Sequence, residues 1–315
     1  MNIFSLLRRL SSFQIIVLSF ALLIGSGTLL LMTPWATQDG QGAALLPACF
    51  TAVSASCVTG LTVVDTASYW SHFGQLVILM LIQVGGLGFL TWADLSVNRL
   101  HWRRLTFQTR IILMMTVVLV AVPALVFFTQ EPISGWQALF QSVTTRTAGF
   151  NTMDIETLSE GSRCIMVLLM MTGGAPGSTA GGIKTTTAFA LLMAMVSVLR
   201  MRGDVECQSR RIPLETVRQA LAIFVMYALL FFGVSIAIGF VDHAEMIDAM
   251  VEVSSALGTV GLSIGLTEKL SPVSQVMLML LMYFGRVGAL TMIYALHKRQ
   301  KAVPCRLPEG KLTVG

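Results

Sequence analysis

Long apolar runs alternate with short polar segments along this chain. Residues 10–38, 66–93, 111–130, 164–183 and 219–241 contain no Asp, Glu, Lys or Arg, and a sixth run, 270–296, carries only Arg286. Each reaches the roughly 20 residues a membrane-crossing helix needs. The first run is long for a signal-peptide core and lacks an A-x-A cleavage site, which favours a span. Between each outward and returning run lies a shorter apolar segment, at residues 43–57, 135–146 and 244–257, one to two helical turns short of crossing. Each runs into a small-residue tract: Cys57-Val58-Thr59-Gly60-Leu61, Arg146-Thr147-Ala148-Gly149-Phe150 and Gly258-Thr259-Val260-Gly261-Leu262. A second glycine feature follows 24 to 26 residues after each tract glycine, at Gly85-Gly86, Gly173-Gly174 and Gly285. Apolar Phe50, Phe140 and Val251 precede the tract glycines by nine or ten residues. The predicted unit is helix, re-entrant half-helix, glycine turn, helix, and it occurs three times.

Composition fixes the class. Of 315 residues, 55% are hydrophobic and 12% charged, against about 25% charged in soluble domains. The chain is an all-α integral membrane protein; disorder and a disulfide scaffold are excluded by the same numbers and by five scattered cysteines. The net charge of +5 reflects topology, not nucleic-acid binding, because sixteen of the 21 basic residues lie in four segments: Arg8/Arg9, 99–110, 200–218 and 298–311. Twelve of the sixteen acids lie in the segments between. The basic segments and both termini are therefore expected in the cytoplasm.

Three tracts in register point to ion chemistry. Non-helical backbone at membrane depth persists only when buried in protein or lining water. A Thr-x-Gly tract after a short helix turns successive carbonyls to one axis, where they replace the hydration shell of an alkali cation. Packing of small residues is the plainer alternative for any one tract. The run Thr172-Gly173-Gly174-Ala175-Pro176-Gly177-Ser178-Thr179-Ala180-Gly181-Gly182-Ile183-Lys184 cannot continue a helix and predicts an interrupted span, with a hinged gate or a packing kink as its two readings. A Walker phosphate loop is rejected because Ile183 separates the last glycine from Lys184. Lys184 can snorkel to the inner interface. Arg286, inside a span, is expected to face a cavity or partner. Four histidines and no intramembrane acid pair give no catalytic or metal constellation.

These residues resemble a known family. Residues 54–66, with Gly74-Gln75 and 83–88, are similar to the first repeat of the Ktr/Trk/HKT superfamily of potassium transporters, nearest the bacterial Ktr membrane subunit. Residues 145–151 resemble that family's third filter segment, 173–187 its gating loop, 255–263 its fourth filter segment, and Gly285-Arg286 its last-span arginine. The resemblance implies four repeats around one axis, of which only three are found. Residues 1–98 form the first; 99–110 are a basic linker where a repeat is missing; 111–203 resemble the third; 204–218 link to 219–300, which resemble the fourth; 301–315 are a tail. It further implies a potassium filter of Val58, Thr59, Gly60, Thr147, Ala148, Gly149, Thr259, Val260 and Gly261. The implied gating loop holds Gly173, Gly174, Gly177, Ser178, Thr179, Gly181, Gly182 and Lys184, with Arg286 as barrier or gate partner. No covalent cofactor is expected; K+ is the transported ion, with Na+ dependence left open. The implied setting is a bacterial plasma membrane, and the implied partners are lipid, a second copy and a cytosolic ring of nucleotide-binding regulatory subunits. The expected function is potassium uptake. A shortened, non-conducting paralogue or deletion product is the alternative, and a proton- or sodium-coupled carrier is disfavoured by the lack of a clear intramembrane acid.

Overall fold

The computed structural model describes residues 12–98 and 101–288. Arg8, Arg9, Arg99, residues 289–300 and the 301–315 tail lie outside the described residues. Within them the predicted unit appears three times.

The first unit comprises α1 (Ser12–Leu31), the pore helix α2 (Leu45–Ser56), a short α3 (Thr66–Tyr69), α4 (His72–Leu87) and α5 (Phe89–Val97). The second comprises α6 (Phe107–Gln130), pore helix α7 (Gly135–Thr144), α8 (Glu160–Met171) and α9 (Thr185–Leu199). A small antiparallel hairpin, β1 (Val205–Cys207) and β2 (Arg210–Ile212), leads to the third: α10 (Leu214–Asp242), pore helix α11 (Met246–Gly258) and α12 (Pro272–Val287). The pore helices fall within about two residues of the expected segments, as helix ends do.

The first helix of every unit, α1, α6 and α10, is continuous and apolar enough to cross a membrane. The second helix is not. The expectation of a single interrupted span is corrected, because α4 and α5 are bent by 92° at Gly88. That glycine has φ +75°, and α12 ends at the matching Gly288, with φ +84°. Such backbone admits glycine and resists side chains. In the second unit the same break widens to residues 172–184, between α8 and α9. The expected linker 204–218 also contains the hairpin, braced by Arg211–Asp204 at 2.8 Å, so it is not wholly irregular.

Polar side chains fix the start of each second helix. Ser71, Ser159 and Ser271 each cap the second helix of their unit by accepting the amide of Gly74, Ser162 and Ser274. Glu131, just past α6, accepts the Ser159 amide at 3.1 Å, and Asp242, ending α10, accepts the Ser271 amide at 2.8 Å. Burial pushes Glu131 up, but bonds from Ser159 and Ser162 outweigh it and hold the carboxyl below its usual range. Glu131 and Asp242 thus tie the first helix of their units to the second.

Two apolar cores hold the units together. One joins the first and second through Val58, Ile78, Phe140, Ala148 and Phe150; the other joins the second and third through Ile155, Met166, Leu257, Leu262 and Ile264. Among the described residues no apolar core joins the first unit to the third.

Candidate functional site

Each pore helix ends in the same backbone gesture. Val58, Thr147 and Thr259 take φ of +54°, +67° and +53°, and two residues on, Gly60, Gly149 and Gly261 take +79°, +80° and +88°. A positive φ is a genuine outlier for β-branched Val and Thr, and such strain clusters at functional sites. Each tract is tied back by a six-residue backbone bond: Thr59 to Ser54 (2.9 Å), Gly149 to Thr144 (3.3 Å) and Val260 to Ser255 (2.8 Å). This is the closure pattern of a helix end with a left-handed cap. Because one positive-φ residue sits two before another in all three tracts, successive carbonyls are turned alike in every unit.

The tracts meet at one point. A Cβ placed on Gly60 would lie 2.7 Å from the Ala148 carbonyl oxygen, 2.8 Å from Gly149 Cα and 3.1 Å from the Val260 oxygen. On Gly149 it would lie 2.3 Å from the Val260 oxygen, and on Gly261 3.6 Å from that of Thr59. The nine expected filter residues are therefore brought together, with carbonyls of Thr59, Ala148 and Val260 beside the glycines. The first and second tracts are in backbone contact.

Beneath them lies the 173–184 loop. Its neck is closed by Gly173 donating to Ile183 (2.8 Å) and Ile183 to Met171 (2.9 Å). Ala175 donates to Gly86 of the first unit at 3.0 Å, and a Cβ on Gly181 would strike Thr259 of the third at 2.2 Å. The loop thus touches both of the other units. Two cations hold it: Lys184 donates to the Ala180 carbonyl, and Arg286 donates to the Thr179 carbonyl at 2.9 Å. Lys184, the last residue of the implied gating loop, turns its amine back onto that loop. Arg286 reaches the loop from α12, and its side chain is exposed.

Seven buried hydroxyls around the tracts and loop have no protein hydrogen-bond partner: Ser54, Ser56, Thr147, Ser178, Thr179, Thr185 and Thr259. Buried polar groups are ordinarily paired, so their concentration here marks a path suited to water and cations. Among the described residues no His/Cys/Asp/Glu cluster could hold a metal.

Two functional candidates were missed in the sequence. Glu252, inside α11 and 3% exposed, accepts from the Ser263 hydroxyl (2.6 Å), the Ile264 amide (3.1 Å) and the Thr267 hydroxyl (2.6 Å). It anchors the segment leaving the third tract, so a membrane-buried acid does exist, serving structure. Arg146 is buried at the start of the second tract, against a small cavity lined by Gln83, Gly86 and Gly174. The available signal was a lone charge in register with Cys57 and Gly258.

Comparison with known proteins adds the lineage. The chain is 31% identical over 294 residues to the Ktr system potassium uptake protein B of Bacillus subtilis, covering 88% of this chain and 65% of that one. It is 30% identical over 319 residues to the protein of the same name from Vibrio alginolyticus, covering 95% and 69%. To the potassium/sodium uptake protein NtpJ of Enterococcus hirae it is 26% identical over 446 positions, covering 98% of each. The crystal structure of the potassium transporter TrkH from Vibrio parahaemolyticus shares the fold with a TM-score of 0.72 at 18% identity, over 91% of this chain and 65% of that one. A family model described as TrkH, cation transport protein, matches residues 7–110 and 101–302. With three pore units built on one plan and a family match across nearly all of them, the chain belongs to the TrkH family of cation transport proteins.

Proposed function

We propose that this chain is the pore-forming part of a potassium-uptake system in a bacterial plasma membrane, with both termini cytoplasmic. The observation that carries the reading is the threefold recurrence of positive φ at Val58/Gly60, Thr147/Gly149 and Thr259/Gly261 around one point. Carbonyls from the three tracts take the place of water around K+. The 173–184 loop gates below them, and Arg286 and Lys184, bound to its carbonyls, bias it closed by charge and by tether. The names of the Bacillus and Vibrio relatives support potassium as the ion. Pairing with a second copy and docking on a cytosolic regulatory ring belong to the same reading.

The chain spans 65% of the Bacillus relative. Two observations support a missing unit near residues 99–110. The Enterococcus match runs over 446 positions against a chain of 315, and the family match is divided at residues 101–110. A second reading, a non-conducting assembly protein, is favoured by one specific contact: Gly60 and Gly149 touch where an ion would pass.

Rubidium influx and growth at low external potassium, in cells lacking their own uptake, separate the two. Influx that shortening the loop at 177–182 turns into leak supports the gated pore. Stable, inserted protein without influx refutes conduction by this chain alone. Repeating the assay with and without Na+ decides sodium dependence.

A further inference from the structure

Away from the tracts, one cleft in the second and third units combines apolar walls with unneutralised charge. It encloses about 470 Å³ between α6, α9 and the hairpin that leads into α10, within the roughly 300–1,000 Å³ of ligand sites. Phe107 and Ile111 of α6, Phe189 of α9 and Ile212 of β2 form its apolar walls. The last three are buried in a small core of their own, apart from the two that join the units. Among the described residues no acid lines the cleft, whereas Arg210 and Arg211 of β2 both do.

The two arginines differ. Arg211 is paired with Asp204 at 2.8 Å. Arg210 has no carboxylate partner among the described residues, and its guanidinium lies 6.0 Å from the centroid of the Phe107 ring. A ring contact holds a guanidinium in place without neutralising it. The backbone adds to the positive field. Gln108, Thr186 and Thr216, each in the first turn of its helix, also line the cleft. Helix starts carry unpaired amides and partial positive charge, and neither α9 nor α10 has a side-chain cap. Glu215, the acid in the first turn of α10, accepts from Gln219 and lies outside the lining. Three helix starts beside a free guanidinium suit an anion with oxygen acceptors, and the planar fork of arginine fits phosphate.

A soluble phosphate would satisfy the charge and leave the apolar walls wet. A phospholipid satisfies both. In the topology proposed above, the basic segment 200–218 faces the cytoplasm, where the inner leaflet carries anionic lipid and basic pockets between spans bind its headgroups. We propose that this cleft binds an anionic phospholipid of the inner leaflet, with its phosphate on Arg210 and the helix starts and an acyl chain along Phe107, Ile111 and Phe189. Pro176 of the 173–184 loop lines the same cleft. The lipid therefore braces the loop in the arrangement tied by Lys184 and Arg286; this second effect rests on the reading of the loop as a gate.

The test measures retention of phosphatidylglycerol, phosphatidylcholine and inorganic phosphate by the purified full chain, using native mass spectrometry. Phosphatidylglycerol is expected to be retained in preference to phosphatidylcholine. Arg210→Gln should weaken that retention about tenfold, the scale of one charge-assisted hydrogen bond. Thr216→Trp, at an exposed position, fills the cleft without removing charge and should weaken it too; it decides alone if Arg210→Gln does not accumulate. Arg218→Gln, an exposed arginine outside the lining, should change nothing. Equal retention of both lipids, or retention unaffected by Thr216→Trp, overturns the site. Displacement of phosphatidylglycerol by inorganic phosphate also overturns it, in favour of a soluble ligand. Rubidium flux into vesicles is read separately: phosphatidylglycerol should lower it about fivefold, and not with Arg210→Gln. Retention without flux in any vesicle keeps the lipid site and counts against the pore, whereas flux indifferent to phosphatidylglycerol overturns the bracing of the loop.

Discussion

The first and third tracts have nearly the same backbone and opposite surroundings. Both leave a pore helix through a β-branched residue at positive φ, Val58 or Thr259, and reach a positive-φ glycine two residues later. The third is then held by Glu252 and packed by Leu262 and Ile264, while the first continues through the exposed Leu61 and Val63. The direction of the carbonyls is therefore a local property of each tract. Whether a tract is a wall of a closed ring or an edge of an open one is decided by its neighbours.

The largest expected effect breaks the comparison by truncating corresponding residues. Phe150→Ala and Leu262→Ala remove fully buried side chains and should cost roughly 2–5 kcal/mol, whereas Leu61→Ala should stay within about 0.5 kcal/mol. Thermal melting of purified protein in detergent checks this, and equal losses at all three positions would contradict the open edge. Next come the glycines. Gly149→Ala drives a Cβ to 2.3 Å from the Val260 oxygen at φ +80° and should cost roughly 2–4 kcal/mol; Gly261→Ala meets nothing nearer than 3.6 Å and should cost only the roughly 1–2 kcal/mol of left-handed strain. The same melting series ranks them, and a reversed order would show that the tracts meet differently. Glu252→Gln keeps the shape but weakens three charge-assisted bonds, with an expected loss of about 1–3 kcal/mol. Faster proteolysis in the 263–267 segment is its second readout, and no change in either would deny Glu252 its anchoring role. The smallest effect is at Gly86, inside α4, where a Cβ meets nothing within 4 Å. Gly86→Ala should be neutral or stabilise by roughly 0.4–1 kcal/mol; its neighbour Gly85→Ala, 2.2 Å from the Ser56 oxygen, should destabilise instead. Comparing the two melting temperatures tests which glycine the helix contact requires.

Much of this was legible in the residues. Charge-free runs of spanning length, short apolar segments between them and three Thr-x-Gly or Val-Thr-Gly tracts gave the repeated unit, because hydrophobic length and glycine placement act locally. The break at Gly88 was less visible: a single glycine in an apolar run reads as ordinary helix, and the 92° bend depends on the loop residues Gly177 and Ser178 packed against it. Glu252 and Arg146 were overlooked because a lone charge in a short segment carries no periodic signal. Arg146 is enclosed by Gln83 and Gly86 of the first unit, and Glu252 by the 263–267 segment that folds back onto it.

The sequence by itself determined the membrane class, the unit and its threefold recurrence, and the residues able to turn carbonyls to an axis. Hydropathy and backbone stereochemistry depend only on which residues stand next to one another. Tertiary structure alone decided that the second helix of the first unit bends at Gly88, that the 173–184 loop is tied to both other units, and that, among the described residues, the first unit packs against the second but shares no core with the third. Those outcomes follow from packing between segments distant in sequence, where the faces left uncovered are set by which neighbour is present.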